Sequence, residues 1–104
     1  MKILYKKNVL NEFINSNNLS IVYFSASWCI QCRKIYEDIE ILETKYKNKL
    51  NFLKIDIDEF PRLASEYNIN SIPTFLYFKD GIFLGKVESA VLSRIKTLIT
   101  VLLN

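Results

Sequence analysis

Ile21-Val22-Tyr23-Phe24-Ser25-Ala26-Ser27-Trp28-Cys29-Ile30-Gln31-Cys32-Arg33-Lys34-Ile35 is the stretch whose reading decides the fold. Ile21 to Phe24 is a compact β-branched and aromatic run flanked by serines, the pattern of a central strand buried on both faces. It feeds directly into Cys29 and Cys32, the only two cysteines of the chain. From Cys29 to about Tyr46 the sequence reads as helix, with Ile35, Ile39, Leu42 and Tyr46 as the apolar stripe. Glu37, Asp38, Glu40, Glu43 and Lys45 fall largely outside that stripe, and neither Gly nor Pro interrupts it.

Outward from this unit the chain keeps alternating. On the N-terminal side, Lys2-Ile3-Leu4-Tyr5 reads as a short strand, followed by Val9, Leu10, Phe13 and Ile14 at helical spacing and the break Asn15-Ser16-Asn17-Asn18. On the other side, Phe52 to Asp58 fits a strand with an acidic end, and Pro61 opens a short helix carrying Leu63, Ala64 and Tyr67. Ile72-Pro73-Thr74 precedes the apolar run Phe75 to Phe78, which Asp80-Gly81 turns back into Ile82-Phe83-Leu84 as a hairpin. The tail places Val91, Ile95, Leu98 and Leu102 on one helical face. The order βαβαβαββα predicts an α/β fold: a three-layer α/β/α sandwich with a central mixed sheet of five strands and four helices, residues 1–104 forming one domain.

Composition narrows the function. The 104 residues are 50% hydrophobic and 24% charged, enough for one sizeable core and incompatible with disorder. The net charge of +3 comes from 14 basic and 11 acidic residues with no basic block, which argues against nucleic acid as a partner. The most apolar tract, Leu98 to Leu103, is far shorter than the ~20 residues of a membrane span. Lys6 and Lys7 interrupt the N-terminal apolar stretch after Tyr5, so no signal-peptide core is expected and the cytoplasm is the expected compartment. Histidine is absent. That removes Ser/His/Asp and Cys/His hydrolases, imidazole metal sites and histidine bases. Asp56, Asp58 and Glu59 read as a solvated strand end rather than a cation site.

Two cysteines three apart at a strand-to-helix junction have a direct chemical meaning. One helical turn brings the sulfurs within bonding range, and Cys29 lies at the helix N-terminus, where free N–H groups and the positive dipole end stabilise a thiolate. Cys29 is therefore the expected nucleophile and Cys32, one turn in and more buried, the resolving thiol. Arg33 and Lys34 add positive charge nearby. A zinc site would need two further ligands that no other Cys or His supplies, so no metal is expected. A purely structural bridge closing so short a loop removes little entropy from the unfolded chain.

In these residues the chain resembles the thioredoxin family. The resemblance runs from Lys2 to Leu103 and rests on Val22 to Arg33, on Lys54-Ile55-Asp56-Ile57-Asp58, on Tyr67 to Thr74 with its Ile72-Pro73-Thr74, and on Phe78-Lys79-Asp80-Gly81. It implies a cis proline at Pro73 facing the cysteine pair, although the residues alone read as an ordinary trans proline at a strand start. It also implies that Trp28, Ile30, Ile72 and Pro73 form an apolar platform for disulfide-containing protein substrates. The implied activity is a protein-disulfide reductase cycling between a Cys29-Cys32 dithiol and disulfide, a monomer with no bound cofactor, regenerated by a thioredoxin reductase or another dithiol donor. A disulfide oxidase or isomerase, or a binding module of the same fold without redox turnover, is the alternative.

Four positions depart from the family pattern. Ile30-Gln31 replaces Gly-Pro between the cysteines, Tyr23 stands where the family has a buried aspartate beside a lysine kept here as Lys54, Glu37 replaces a helix proline, and Glu88 replaces a loop glycine. Gln31 restores an N–H that could reach the Cys29 sulfur, and Tyr23 removes a nearby negative charge. Both lower the expected Cys29 pKa and raise the expected potential above the ~−270 mV of thioredoxin itself. Resolution is expected to be slower, since Cys32 lacks a carboxylate base.

Overall fold

The computed structural model describes residues 1–104. Its elements are β1 (Lys2–Ile3), α1 (Lys7–Ile14), β2 (Leu19–Ser25), α2 (Ile30–Lys45), β3 (Leu50–Asp56), α3 (Pro61–Glu66), β4 (Thr74–Lys79), β5 (Ile82–Val87) and α4 (Leu92–Leu103). The five strands form one sheet in the order β1-β3-β2-β4-β5. The β1, β2, β3 and β5 strands run in one direction and β4 runs against them. This is the thioredoxin fold, with the order and number of elements expected from the sequence.

The centre of the sheet explains why the Ile21 to Phe24 run is apolar throughout. Every residue of β2 is buried, because the strand has a neighbour on each side and a helical layer on each face. On one face Ile21, Tyr23, Phe52, Phe75 and Tyr77 pack under α2 and α4, which contribute Ile35, Ile39, Leu42, Ile95 and Ile99. On the other face Val22, Phe24, Leu53, Ile55, Leu76 and Phe78 pack under α1 and α3, which contribute Leu10, Phe13, Ile14 and Leu63. Pro61 occupies the first turn of α3, where its missing N–H has no intrahelical partner to lose.

Asp80 and Gly81 both take positive φ, 53° and 79°, as a two-residue hairpin turn demands. Their N–H groups donate to Ser16 O and Ile14 O at 2.9 and 2.8 Å, which ties the hairpin to the end of α1. Glu43 is not simply a solvated side chain at the end of the α2 stripe. Its carboxylate pairs with the Met1 ammonium at 2.8 Å and accepts the Phe52 N–H at 2.8 Å, fastening α2 to β1 and β3. Val91 differs from expectation. It precedes the first helical residue, caps α4 with extended backbone and is 53% exposed, so the buried ridge of α4 is Ile95 and Ile99, flanked by Leu98 and Leu102.

Candidate active site

The parallel register of β2 with β3 and its antiparallel register with β4 bring three chain segments to one end of the sheet. Ser25 lies beside Asp56, and Phe24 beside Thr74, so the β2–α2 junction, the end of β3 and Ile72-Pro73 converge there. A short turn through Ala26, Ser27 and Trp28 leads from β2 to Cys29, which caps α2 with extended backbone (φ −82°, ψ 110°). The Cys29 N–H donates to Ala26 O at 3.1 Å, and Cys29 O accepts from Arg33 N–H at 3.2 Å. Cys29 and Cys32 are joined in a disulfide, their Cα atoms 5.3 Å apart.

The Cys29 sulfur accepts the backbone N–H of Cys32 at 3.3 Å. That is the free-donor chemistry expected of a helix start, but the donor is not Gln31. A proline at position 31 would leave the Cys32 N–H in place, so, contrary to expectation, Gln31 does not act on the Cys29 sulfur through a restored N–H. The side chain of Gln31 itself is exposed. Burial of the two cysteines is nearly equal, 4% exposed for Cys29 and 2% for Cys32. The expected contrast between them lies in their surroundings.

On the Cys29 side stand Trp28, 63% exposed, and Ile30, 55% exposed. Ile72 is half-buried and Pro73 buried, and the Ile72–Pro73 peptide bond is cis. Trp28 and Ile30 are therefore the accessible apolar side chains here, Ile72 is less accessible and Pro73 is covered. The indole Nε1 of Trp28 donates to Asp58 Oδ2 at 2.9 Å, and Asp58 N–H donates to Asp56 Oδ1 at 2.8 Å. Asp58 is thus a member of the site that reading the strand end as solvated acid missed. The available signal was that parallel strands end together, which places the acid end of β3 beside Ser25 and the turn to Trp28.

The Cys32 side is different. Tyr23 is fully buried, stacks on Phe75 with ring centroids 4.7 Å apart and 11° between planes, and donates its hydroxyl to Cys32 O at 2.7 Å. Burial pushes its phenol above the ordinary range; a hydrogen bond from Ser25 offsets this in part, and neighbouring Tyr36 adds to it. Beside it opens a cavity of about 480 Å³ lined by Ser25, Ala26, Ser27, Cys32, Arg33, Tyr36 and Lys54. The Lys54 ammonium lies 5.2 Å from the Tyr36 ring centroid. Glu88 does not line this cavity; it lies just past the end of β5, on the strand end beside the start of β4, and pairs with Lys86 at 3.3 Å. Lys34 is exposed and does not line the cavity. No three Cys, Asp or Glu side chains converge as a metal site would require.

The family model described as Thioredoxin matches residues 1–101. The chain belongs to the thioredoxin family. It is 41% identical over 80 residues to Thioredoxin H2 of Arabidopsis thaliana and 37% identical over 89 residues to Thioredoxin-2 of Pyricularia oryzae. These alignments cover 77% and 86% of this chain but 59% and 52% of the relatives, so the chain spans little more than half the length of either. The X-ray structure of Fasciola hepatica thioredoxin superposes with a TM-score of 0.89 at 30% identity, covering 96% of this chain and 97% of that one.

Proposed function

We propose that this chain is a thiol-disulfide oxidoreductase that reduces protein disulfides through a Cys29-Cys32 dithiol/disulfide cycle. The observation that carries the reading is the disulfide at the start of α2, with the Cys29 sulfur receiving a backbone N–H and an exposed Trp28 and Ile30 on its flanks. In the reduced protein, Cys29 thiolate attacks one sulfur of the substrate disulfide. The substrate S–S bond breaks, its electron pair leaves with the other substrate sulfur, and a Cys29–substrate mixed disulfide forms. Cys32 thiolate then attacks Cys29 Sγ, closing the Cys29-Cys32 bond and expelling the second substrate thiolate. Two electrons pass from the cysteine pair to the substrate. Regeneration needs a dithiol donor such as a thioredoxin reductase.

The remaining parts of the reading follow the same chemistry. Trp28, Ile30, Ile72 and Pro73 form the site that docks an extended substrate segment. Residues 1–104 act as one domain, as a monomer in the cytoplasm, without a bound cofactor. No helix is long and apolar enough to cross a membrane. Insulin reduction with dithiothreitol tests the activity: the protein should accelerate precipitation of the insulin B chain. An unchanged rate would overturn the reading and leave a binding module. Equilibration in glutathione buffers tests direction, and a potential close to −180 mV, that of a disulfide isomerase, would make the protein an oxidant or isomerase instead.

A further inference from the structure

The geometry points to an oxyanion-binding site in the cavity on the Cys32 side, where Lys54 and Arg33 hold a small phosphate- or carboxylate-bearing molecule. This site lies beyond the reductase reading and does not depend on it.

The cavity measures about 480 Å³, inside the ~300–1,000 Å³ that small-molecule sites occupy. Its charged side chains are both cations, Lys54 from β3 and Arg33 from α2, and no carboxylate lines it. The ion pairs of the protein are Met1–Glu43, Lys7–Glu66 and Lys86–Glu88, so neither cation has an acid partner. The Tyr36 ring, 5.2 Å from the Lys54 ammonium, steers that cation without neutralising it. Asp56 follows Lys54 by two residues on the same side of β3, but its carboxylate receives the Asp58 N–H and stays out of the lining. Ser27 adds a hydroxyl at the exposed rim.

The residue at position 23 is what leaves this space open to an anion. A carboxylate there would set a negative charge beside the cavity and repel a second one. Tyr23 instead carries a phenol whose pKa burial raises, and its hydroxyl is committed to Cys32 O at 2.7 Å. Two unpaired cations with a hydroxyl and no acid are a donor set for phosphate or carboxylate: the Arg33 fork can take two oxygens, and Lys54 supplies a point charge. Trp28, Ile30, Ile72 and Pro73 do not line the cavity, so an anion held there leaves the docking side chains free.

The test is binding to the disulfide form, followed by backbone amide shifts in nuclear magnetic resonance as inorganic phosphate or malonate is added at constant ionic strength. Saturating shifts are expected at Ser25 to Ser27, Cys32 to Tyr36 and Lys54, and whichever anion saturates first tells whether the ligand is recognised by phosphate or by carboxylate. Arg33→Met and Lys54→Met should each weaken binding about tenfold, the loss of one charged hydrogen bond, whereas Lys96→Met on the exposed face of α4 should leave it unchanged. Arg33 is exposed, so its variant keeps the test decisive if Lys54→Met folds poorly. Shifts that never saturate and spread over exposed lysines such as Lys2, Lys47 and Lys96, or binding that survives both substitutions, would show charge screening alone and overturn the site. Insulin reduction is a separate measurement: its failure with anion binding intact would overturn the reductase reading and leave the oxyanion site standing.

Discussion

Both faces of the sheet are roofed by two helices, but only one has fully buried aromatic hydroxyls set into it. Under α1 and α3 the buried contacts are mainly hydrocarbon from Leu4 to Phe78, and the one side-chain hydroxyl that reaches a helix is Ser20, whose Oγ donates to Phe13 O at 2.8 Å at the end of β2 away from the cysteines. Under α2 and α4 two tyrosines on neighbouring strands each reach up to a helix. Tyr23 donates to Cys32 O in α2 at 2.7 Å, and Tyr77 donates to Ile95 O in α4 at 3.1 Å. Hydrocarbon packing rewards burial without fixing which turn of a helix sits over which strand residue. A buried hydroxyl has one good partner and is costly without it, so it pins the helix in register. Each face carries such a tie, Ser20 to α1 on one and Tyr23 and Tyr77 to α2 and α4 on the other, and on the face that carries the chemistry both helices are held.

The largest expected effect tests the chemistry on the face where both helices are held. Either Cys29→Ser or Cys32→Ser should abolish insulin reduction, but only Cys32→Ser should accumulate a mixed disulfide with substrate, seen as an added mass on non-reducing gels. Trapping through Cys32 alone would reverse the assigned roles. Next in size, Phe24→Ala on the hydrocarbon face should cost about 3–5 kcal/mol in urea unfolding, while the reduction rate per folded molecule stays unchanged. A rate that fell with stability would mean that the two faces are coupled and the contrast between them fails.

A smaller effect concerns recognition. Trp28→Ala should raise KM for a protein substrate about tenfold and leave dithiodipyridine reduction nearly unaltered, because a small disulfide needs no docking surface. Equal losses on both substrates would place Trp28 in positioning the cysteines rather than in binding. The smallest effect concerns the hydroxyls themselves. Burial raises the phenols of Tyr23 and Tyr77 above their ordinary range, so the folded state holds protons that the unfolded chain releases. Stability should be fully present below the ordinary phenol range near pH ~10 and fall as pH rises beyond it. Tyr77→Phe should flatten that fall and cost about 1 kcal/mol at neutral pH. An alkaline unfolding curve unchanged in both Tyr77→Phe and Tyr23→Phe would show that these hydroxyls do not pin the helices.

Much of this molecule is written in local sequence. The period of Ile35, Ile39 and Leu42 dictates a helix, the all-apolar Ile21 to Phe24 a central strand and Asp80-Gly81 a tight reversal, because each signal depends only on neighbours within one or two turns. The cysteine pair was legible for the same reason, since three residues at the head of a helix make one turn. Tertiary structure decided what lies between elements. No spacing in the chain announces that Asp58 holds the Trp28 indole, that Glu43 receives both the Met1 ammonium and the Phe52 N–H, or that Lys54 shares a cavity with Cys32. Those contacts depend on which strands pair and in what register, and on where each helix then rests. They are set by burial of the whole sheet, which no single segment carries.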